Sequence, residues 1–516
     1  MPALNRRQQQ AVEHIQTPLL VLAGAGSGKT RVITHKIAYL IQQCGRKAHT
    51  IASVTFTNKA AREMKERVTQ LIPRSQTRGL RVSTFHTLGL DIIKSDLKAF
   101  GLKRGFSIFD THDCHALIKE LMRQHFKDEE LVKEQFESLA RIISNWKNDC
   151  LTPERLIKQS SSDPAFSYQV KLYTEYNHYL RTYNAVDFDD LIMLPVLVFE
   201  RHPAILEKWR KRIHYLLVDE YQDTNTTQYQ LVKLIVGDRD SLTVVGDDDQ
   251  SIYCWRGARP ENLALLEKDF PDLKIVKLEQ NYRSTRTILK AANTLIAHNP
   301  HVFEKSLWSE LGHGESLKVM RFPNERLEAE RVVNTLVSHH FRFKKQYSDY
   351  AILYRGNHQS RLFEQQLRES QVPYFLSGGN SFFSYSEIKD VLAYLKLLVN
   401  PDDDNAFLRI INTPRRQIGN ATIEKLNQYC SQTDTRLLQA CAHMALQEYM
   451  SEKAQQNLQQ FAQWLDHLRR FADEKHPVKA VEKLLVDMDY DAWLMETSDN
   501  EKQAEKRIEN VNELLD

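Results

Sequence analysis

Short apolar runs that stop abruptly at polar residues punctuate the first three hundred positions: Leu19–Leu22, Ile51–Phe56, Leu80–Phe85, Tyr215–Val218 and Leu242–Val245. Helical spacing separates several of them; after the first, Val32, Ile33, Ile37, Leu40 and Ile41 keep one apolar face. This alternation predicts an α/β fold with a mostly parallel sheet, whose ligands gather at the carboxyl ends of the strands. Between roughly Asp91 and Pro195 strand signals nearly vanish, and Leu131, Val132, Phe136, Leu139, Ile142, Ile143 and Trp146 share one helical face, predicting a helical insertion. Strand-like runs resume at Lys274–Leu278, Leu317–Arg321 and Tyr350–Tyr354, predicting a second α/β unit. Beyond Gly379 the pattern is helical to Asp516, as in Ile388–Val399 and Asn457–Ala472.

Composition narrows the class. The 516 residues carry 70 basic against 67 acidic side chains, a net charge of +3. Bulk charge therefore gives no nucleic-acid footprint, and any such site must be local. Cys44, Cys114, Cys150, Cys254, Cys430 and Cys441 form no CxxC pair and fit reduced thiols. Arg6 and Arg7 precede an apolar run like that of a signal peptide, but the run is short and Glu13 interrupts it. With no stretch long enough to span a bilayer, the expectation is a soluble, cytoplasmic protein without a membrane partner.

The most informative segment follows the first apolar run: Ala23-Gly24-Ala25-Gly26-Ser27-Gly28-Lys29-Thr30. Glycines let backbone N–H groups turn inward around an anion, Lys29 can reach the β and γ phosphates, and the Thr30 hydroxyl can ligate Mg²⁺. Arg31 continues into a helix whose N-terminus faces the phosphates. Position 23 is Ala where the strict pattern has Gly, which restricts a positive φ there. A second strand delivers carboxylates in Val218-Asp219-Glu220-Tyr221-Gln222-Asp223: Asp219 is expected to hold Mg²⁺ and Glu220 to orient and deprotonate water. Then comes Gly246-Asp247-Asp248-Asp249-Gln250-Ser251-Ile252-Tyr253-Cys254-Trp255-Arg256-Gly257.

Taken in order, these blocks resemble the superfamily 1 UvrD/Rep/PcrA-type DNA helicases from Leu4 onward. Leu4-Asn5 with Gln8 and Ala11-Val12 is similar to the family's adenine-reading motif, although Arg6 and Arg7 replace a common Pro-Gly pair. Thr55 to Met64, Ser83 to Thr87, Phe188-Asp189-Asp190-Leu191, Gln280-Asn281-Tyr282-Arg283-Ser284 and Tyr354 to Arg361 also follow in family order.

The resemblance implies P-loop RecA-like parallel-sheet domains with large α-helical insertions. It divides the chain into residues 1–84 with 196–276, an ATP-binding domain; 85–195, a helical insertion; 277–373, the first part of a second RecA-like domain; and 374–516, a mobile helical subdomain. ATP and Mg²⁺ are the implied cofactors. Gln250 would sense the γ-phosphate, Tyr282 stack on adenine and Arg283 neutralise charge on the transferred phosphoryl from across the cleft. Phe56, His86, Tyr253 and Trp255, with Arg256, would bind single-stranded DNA by stacking, and Thr57, Asn58 and Thr84 would hold phosphates. The implied activity is ATP-dependent 3′–5′ translocation and unwinding of 3′-tailed or forked duplex in replication fork restart. Replication proteins are candidate partners, and the chain is expected as a monomer that can dimerise on DNA. A repair helicase of the same family and a catalytically silent single-strand-binding fragment are the alternatives.

His112, Cys114 and His115 lack zinc spacing, and Pro401 to Asn405 reads as a turn rather than a calcium loop. Ser377 to Ser384 resembles a family hinge, with Tyr385 where an Arg is expected. The family's Ser-Lys-Gly-type DNA motif and a further γ-phosphate arginine do not occur before Asp516. The chain is therefore expected to be C-terminally incomplete and to unwind little alone.

Overall fold

Six parallel strands form the main sheet. The computed structural model describes residues 4–125, 129–158, 163–239, 241–301, 303–376, 385–433, 435–474, 477–498 and 501–515; the hinge-like run Ser377 to Ser384 lies outside them. In chain order the strands are β1 (Leu19–Ala23), β2 (Ile51–Thr55), β3 (Arg81–Thr84), β4 (Ser107–Phe109), β5 (Ala185–Asp187), β6 (Tyr215–Val218), β7 (Leu242–Gly246) and β8 (Lys274–Leu278). The large sheet runs β3-β2-β6-β7-β1-β8. Its central strands are buried throughout and mostly apolar because both faces are covered, with Ser53, Thr55 and Thr243 the buried polar exceptions. Leu20, Leu22, Val54, Leu216, Val218 and Val244 enter one core with helix α4 (Phe85–Ser95) and helices Asp190–Arg201 and Thr226–Val236. Leu19, Val21, Ile51, Leu217, Val245 and Val276 enter the opposite core with helices α1 (Arg6–Glu13), α2 (Lys29–Gln42) and α3 (Asn58–Leu71).

The predicted insertion is helical, with helices Thr111–His125, Glu129–Asn148 and Pro164–Thr182. It also contains a small parallel sheet, β4 with β5, in which Ile108 lies opposite Val186. Sequence periodicity did not announce it, because three residues carry no readable alternation and the partner strand arrives only after the intervening helices.

The chain divides into two compact units, Met1–Glu315 with Asp402–Leu408 and Ile418–Gln456, and Ser316–Pro401 with Arg409–Gln417 and Asn457–Asp516. In the first unit the later segments reach the insertion, where Lys103 Nζ donates to Ser431 Oγ at 2.7 Å and Tyr183 bonds Asn420. The second unit is helical, with Val333, Leu367 and Val372 in one core and Val391, Tyr490, Leu494 and Val511 in another.

Two expectations change. Lys274–Leu278, predicted to open a second α/β unit, closes the first sheet as β8 beside β1. Leu317–Arg321 and Tyr350–Tyr354 form no strand; Val319 is 97% and Leu353 93% exposed. Apolar runs become strands only where a neighbour supplies both a ladder and a face to bury, and among the described residues no strand follows β8.

Candidate nucleotide and nucleic-acid site

β1, β6 and β7 deliver their carboxyl ends to one edge of the sheet, so three loops far apart in sequence converge. The loop after β1 is closed by three different walls. A Cβ on Gly24 would lie 2.3 Å from Leu307 Cδ2, one on Gly26 2.7 Å from Asn281 Nδ2, and one on Gly28 2.7 Å from Gln8 Nε2. Gly26 and Gly28 also hold φ of 72° and 95°, where a side chain is strained. Ala23 needs no such freedom: it is the last residue of β1, extended and paired with Leu278. Ser27 donates its hydroxyl to Gly24 O at 2.7 Å, and Ala25 O accepts from Asn281 Nδ2.

Gln8 is wholly buried. It completes a capping box with Asn5 at the start of α1 and donates Nε2 to Ser27 O at 2.9 Å. Asn5 Nδ2 donates to the Tyr282 hydroxyl at 2.6 Å, and Tyr282 N donates to Gly26 O at 2.9 Å. Asn5 therefore joins the adenine-reading candidates Gln8 and Tyr282, which close different sides of the loop. Arg283 is exposed beside them, its backbone N–H held by Asn281 Oδ1 at 2.8 Å.

Lys29 and Thr30 open α2, with Arg31 next. Lys29 Nζ donates to Glu220 Oε2 at 2.6 Å and to Gln250 Oε1 at 3.2 Å. Asp219 is buried, its N–H on Val54 O at 2.8 Å; burial first, then Glu220, pushes its carboxyl up to about 7, with Lys29 opposing. Glu220 has φ of 50°, an uncommon conformation for a non-glycine that aims its carboxylate at Lys29. A hydroxyl and a carboxylate are hard oxygen donors, so Thr30 and Asp219 suit Mg²⁺ in kind. The sequence reading missed Gln222, which is 1% exposed: it donates Nε2 to Glu220 at 2.9 Å and accepts from Asp247 N–H at 2.9 Å, bridging the β6 and β7 loops. Its only signal was an amide set among acids at a strand end.

The loop after β7 continues from Gln250 to the aromatics. Phe56 and Tyr253 stack at 5.1 Å, Trp255 lies 6.3 Å from Tyr253 and is 67% exposed, and the Arg256 guanidinium sits 4.5 Å over Trp255. His86 meets the half-exposed Phe188 edge-on at 6.1 Å, and burial lowers its pKa. Phe188 had been read only as part of a motif. Thr57 and Thr84 cap α3 and α4, accepting from Ala60 N and Thr87 N, while Asn58 is exposed at the first turn of α3. Thr84 is buried, so its hydroxyl serves the cap before any ligand.

A glycine-rich anion loop facing a paired lysine and glutamate, joined by one loop to an exposed aromatic row, has the layout of a P-loop nucleoside triphosphatase. Residues 4–271 match the UvrD/REP helicase N-terminal domain and residues 276–516 the UvrD-like helicase C-terminal domain. The chain belongs to the UvrD/Rep helicase family and is an enzyme of that class. It is 56% identical to the ATP-dependent DNA helicase Rep of Escherichia coli strain K12 over 99% of this chain and 75% of that relative. It is equally similar to Rep of Salmonella typhimurium, and 39% identical to the ATP-dependent DNA helicase PcrA of Staphylococcus aureus over 99% of this chain and 69% of that relative. Among the described residues no helix is long and apolar enough to cross a membrane.

Proposed function

We propose that this chain is an ATP-dependent DNA helicase of Rep type that couples ATP·Mg²⁺ hydrolysis to 3′–5′ movement along single-stranded DNA in replication. One observation carries the coupling: Gln250, in hydrogen-bond contact with Lys29, and Tyr253, stacked on Phe56, lie on the same short loop after β7. A shift of that loop on hydrolysis moves the aromatic platform. The higher identity to the Rep relatives than to PcrA favours the Rep reading over a repair helicase.

In this reading Lys29 and the N–H groups of residues 24–30 hold the phosphates, Tyr282 and Gln8 flank the base, and Arg283 offsets charge on the transferred phosphoryl. Thr30 and Asp219 would hold Mg²⁺, which supplies Lewis-acid polarisation of the phosphoryl oxygens. Glu220 draws the proton from water once the triphosphate takes Lys29 away from it. Phe56, Tyr253, Trp255, Arg256 and His86, extended by Phe188, bind bases by stacking, which is blind to sequence. Thr57, Asn58 and Thr84 at two helix starts would orient the phosphates. We read the chain as an ATP-binding domain (1–84, 196–276), a helical insertion (85–195), part of a second motor domain (277–373) and a helical subdomain (374–516). Fork DNA and replication proteins are its proposed partners, in the cytoplasm, with the protein a monomer that can dimerise on DNA.

DNA-stimulated ATPase is the test. The reading expects oligo-dT to raise hydrolysis and Lys29→Ala to abolish it; a silent binding fragment expects no stimulation. Unwinding of a 3′-tailed but not a 5′-tailed duplex tests direction.

A further inference from the structure

Lys305 lies outside every motif assigned above, yet it is buried beside the loop after β7. Its side chain is 5% exposed, and Nζ lies 2.8 Å from Asp247 Oδ1 and 2.9 Å from Asp249 Oδ2 and also pairs with Asp248. The neighbouring chain is strapped to the same turn: Phe303 N donates to Asp248 at 3.2 Å and His301 Nδ1 lies 2.9 Å from Asp249. Asp248, Asp249 and His301 are spaced like metal ligands, but the Lys305 ammonium already pairs with both carboxylates, and a second cation would meet its charge.

The consequence runs through Asp247. Its Oδ1 is taken by Lys305, its Oδ2 accepts from Gln250 Nε2, and its N–H is held by Gln222 Oε1. A primary amide has one donating and one accepting end. Because an ionised Asp247 can only accept, Gln250 must turn its nitrogen to Asp247 and its oxygen to Lys29, which is the arrangement seen at 3.2 Å. The Lys29 ammonium can only donate, so it demands the same amide orientation, which holds only while the Asp247 carboxylate keeps Oδ2 turned to Gln250. Lys305 holds Asp247 Oδ1 and so keeps Oδ2 turned to Gln250; burial lowers the Lys305 pKa, but its hydrogen bonds to Asp247, Asp248 and Asp249 outweigh that and raise it.

We propose that Lys305 is a positioning residue for ATP hydrolysis: by fixing the Asp247 carboxylate through Oδ1, it holds the amide arrangement that points Gln250 Oε1 at Lys29. This rests on the reading of Gln250 as the group that answers to the γ-phosphate. The route from Lys305 to Lys29 runs through Asp247 and Gln250.

The full chain is compared as wild type, Lys305→Met, Lys305→Arg and Lys305→Met combined with Asp248→Asn and Asp249→Asn. Oligo-dT-stimulated kcat and KM, affinity for a fluorescent ATP analogue, melting temperature and amide exchange over residues 247–251 are read for each. Lys305→Met is expected to lower kcat by roughly 30-fold or more while analogue affinity stays within about 3-fold, with Lys305→Arg recovering most of kcat. In the triple variant the crowding charge is gone, so melting temperature recovers while kcat stays low and exchange at 247–251 stays fast. An unchanged kcat in Lys305→Met, or recovery of kcat together with stability in the triple variant, overturns the proposal by leaving Lys305 a simple counter-charge. If wild type shows no DNA-stimulated ATPase, the helicase reading fails instead. Exchange then decides alone: accelerated in Lys305→Met and in the triple variant supports positioning, unchanged in either refutes it.

Discussion

The ammonium of Lys29 lies 2.6 Å from the carboxylate of Glu220, so a group expected to bind phosphate and a group expected to activate water neutralise one another. A triphosphate must compete with Glu220 for Lys29. Glu220→Gln removes the competitor and the base together. ATP affinity is expected to hold or tighten, while kcat falls by about 10²- to 10⁴-fold as general-base assistance is lost. Titration with a fluorescent ATP analogue alongside steady-state ATPase checks both; a tenfold weaker affinity would show that the pair supports binding rather than opposing it.

Asp219 gives a pH signature. Its carboxyl stands at about 7 against an ordinary 3.8, so between those values the folded chain keeps a proton that the unfolded chain has released. Stability contributed by that proton is present at low pH and lost as pH rises through 7. Asp219→Asn is therefore expected to melt above wild type at pH 8, with the gap closing towards pH 4.5. A cation bound by Asp219 favours the ionised form, so Mg·nucleotide binding should release a proton below pH 7 and tighten as pH rises. Calorimetry in two buffers of different ionisation heat counts that proton, and a count of zero at pH 6 would contradict the assignment.

The aromatic row predicts graded losses. Trp255→Ala removes an exposed ring that also carries Arg256, and Phe56→Ala removes a ring already stacked on Tyr253. Each is expected to weaken oligo-dT binding by ~1–3 kcal/mol, about 5- to 150-fold, with ATP-analogue affinity unchanged. The double variant should lose less than the sum, because Tyr253 links the two rings. Fluorescence anisotropy at fixed salt measures all three.

Much of this site was legible because its chemistry is local. Gly24 to Thr30 must sit between strand and helix to work, and Asp219-Glu220 must end a strand, so residue order alone placed them. Ala23 was flagged as a departure only because sequence cannot show that the position is still extended strand. What escaped is what depends on partners distant along the chain. Gln222 and Lys305 have meaning only once β6 and β7 lie side by side, and β4 has no readable pattern without β5. The runs Leu317–Arg321 and Tyr350–Tyr354 erred in the other direction, since periodicity reports a capacity to be a strand and not the presence of a neighbour.

Lys147 tests how the insertion is tied to the site. Its ammonium is 1% exposed, 2.7 Å from Asp187 and 2.8 Å from Asp190, and 5.1 Å over the Tyr176 ring. Lys147→Met would leave two buried acids facing each other, at a cost of roughly 3–5 kcal/mol. Because burial and Asp187 already push Asp190 up to about 6, Asp190 can take a proton, and the loss should shrink at pH 5 relative to pH 8. The damage should also reach DNA binding. Thr227 Oγ1 donates to Lys147 O at 2.8 Å, and Arg259, just past the Trp255 turn, makes two 2.7 Å bonds to Asp149 at the same helix end. If that helix end loosens, oligo-dT affinity is expected to fall in Lys147→Met and to return when Asp187→Asn and Asp190→Asn are added. Restored melting temperature without restored affinity would show that the insertion anchors the fold but not the platform.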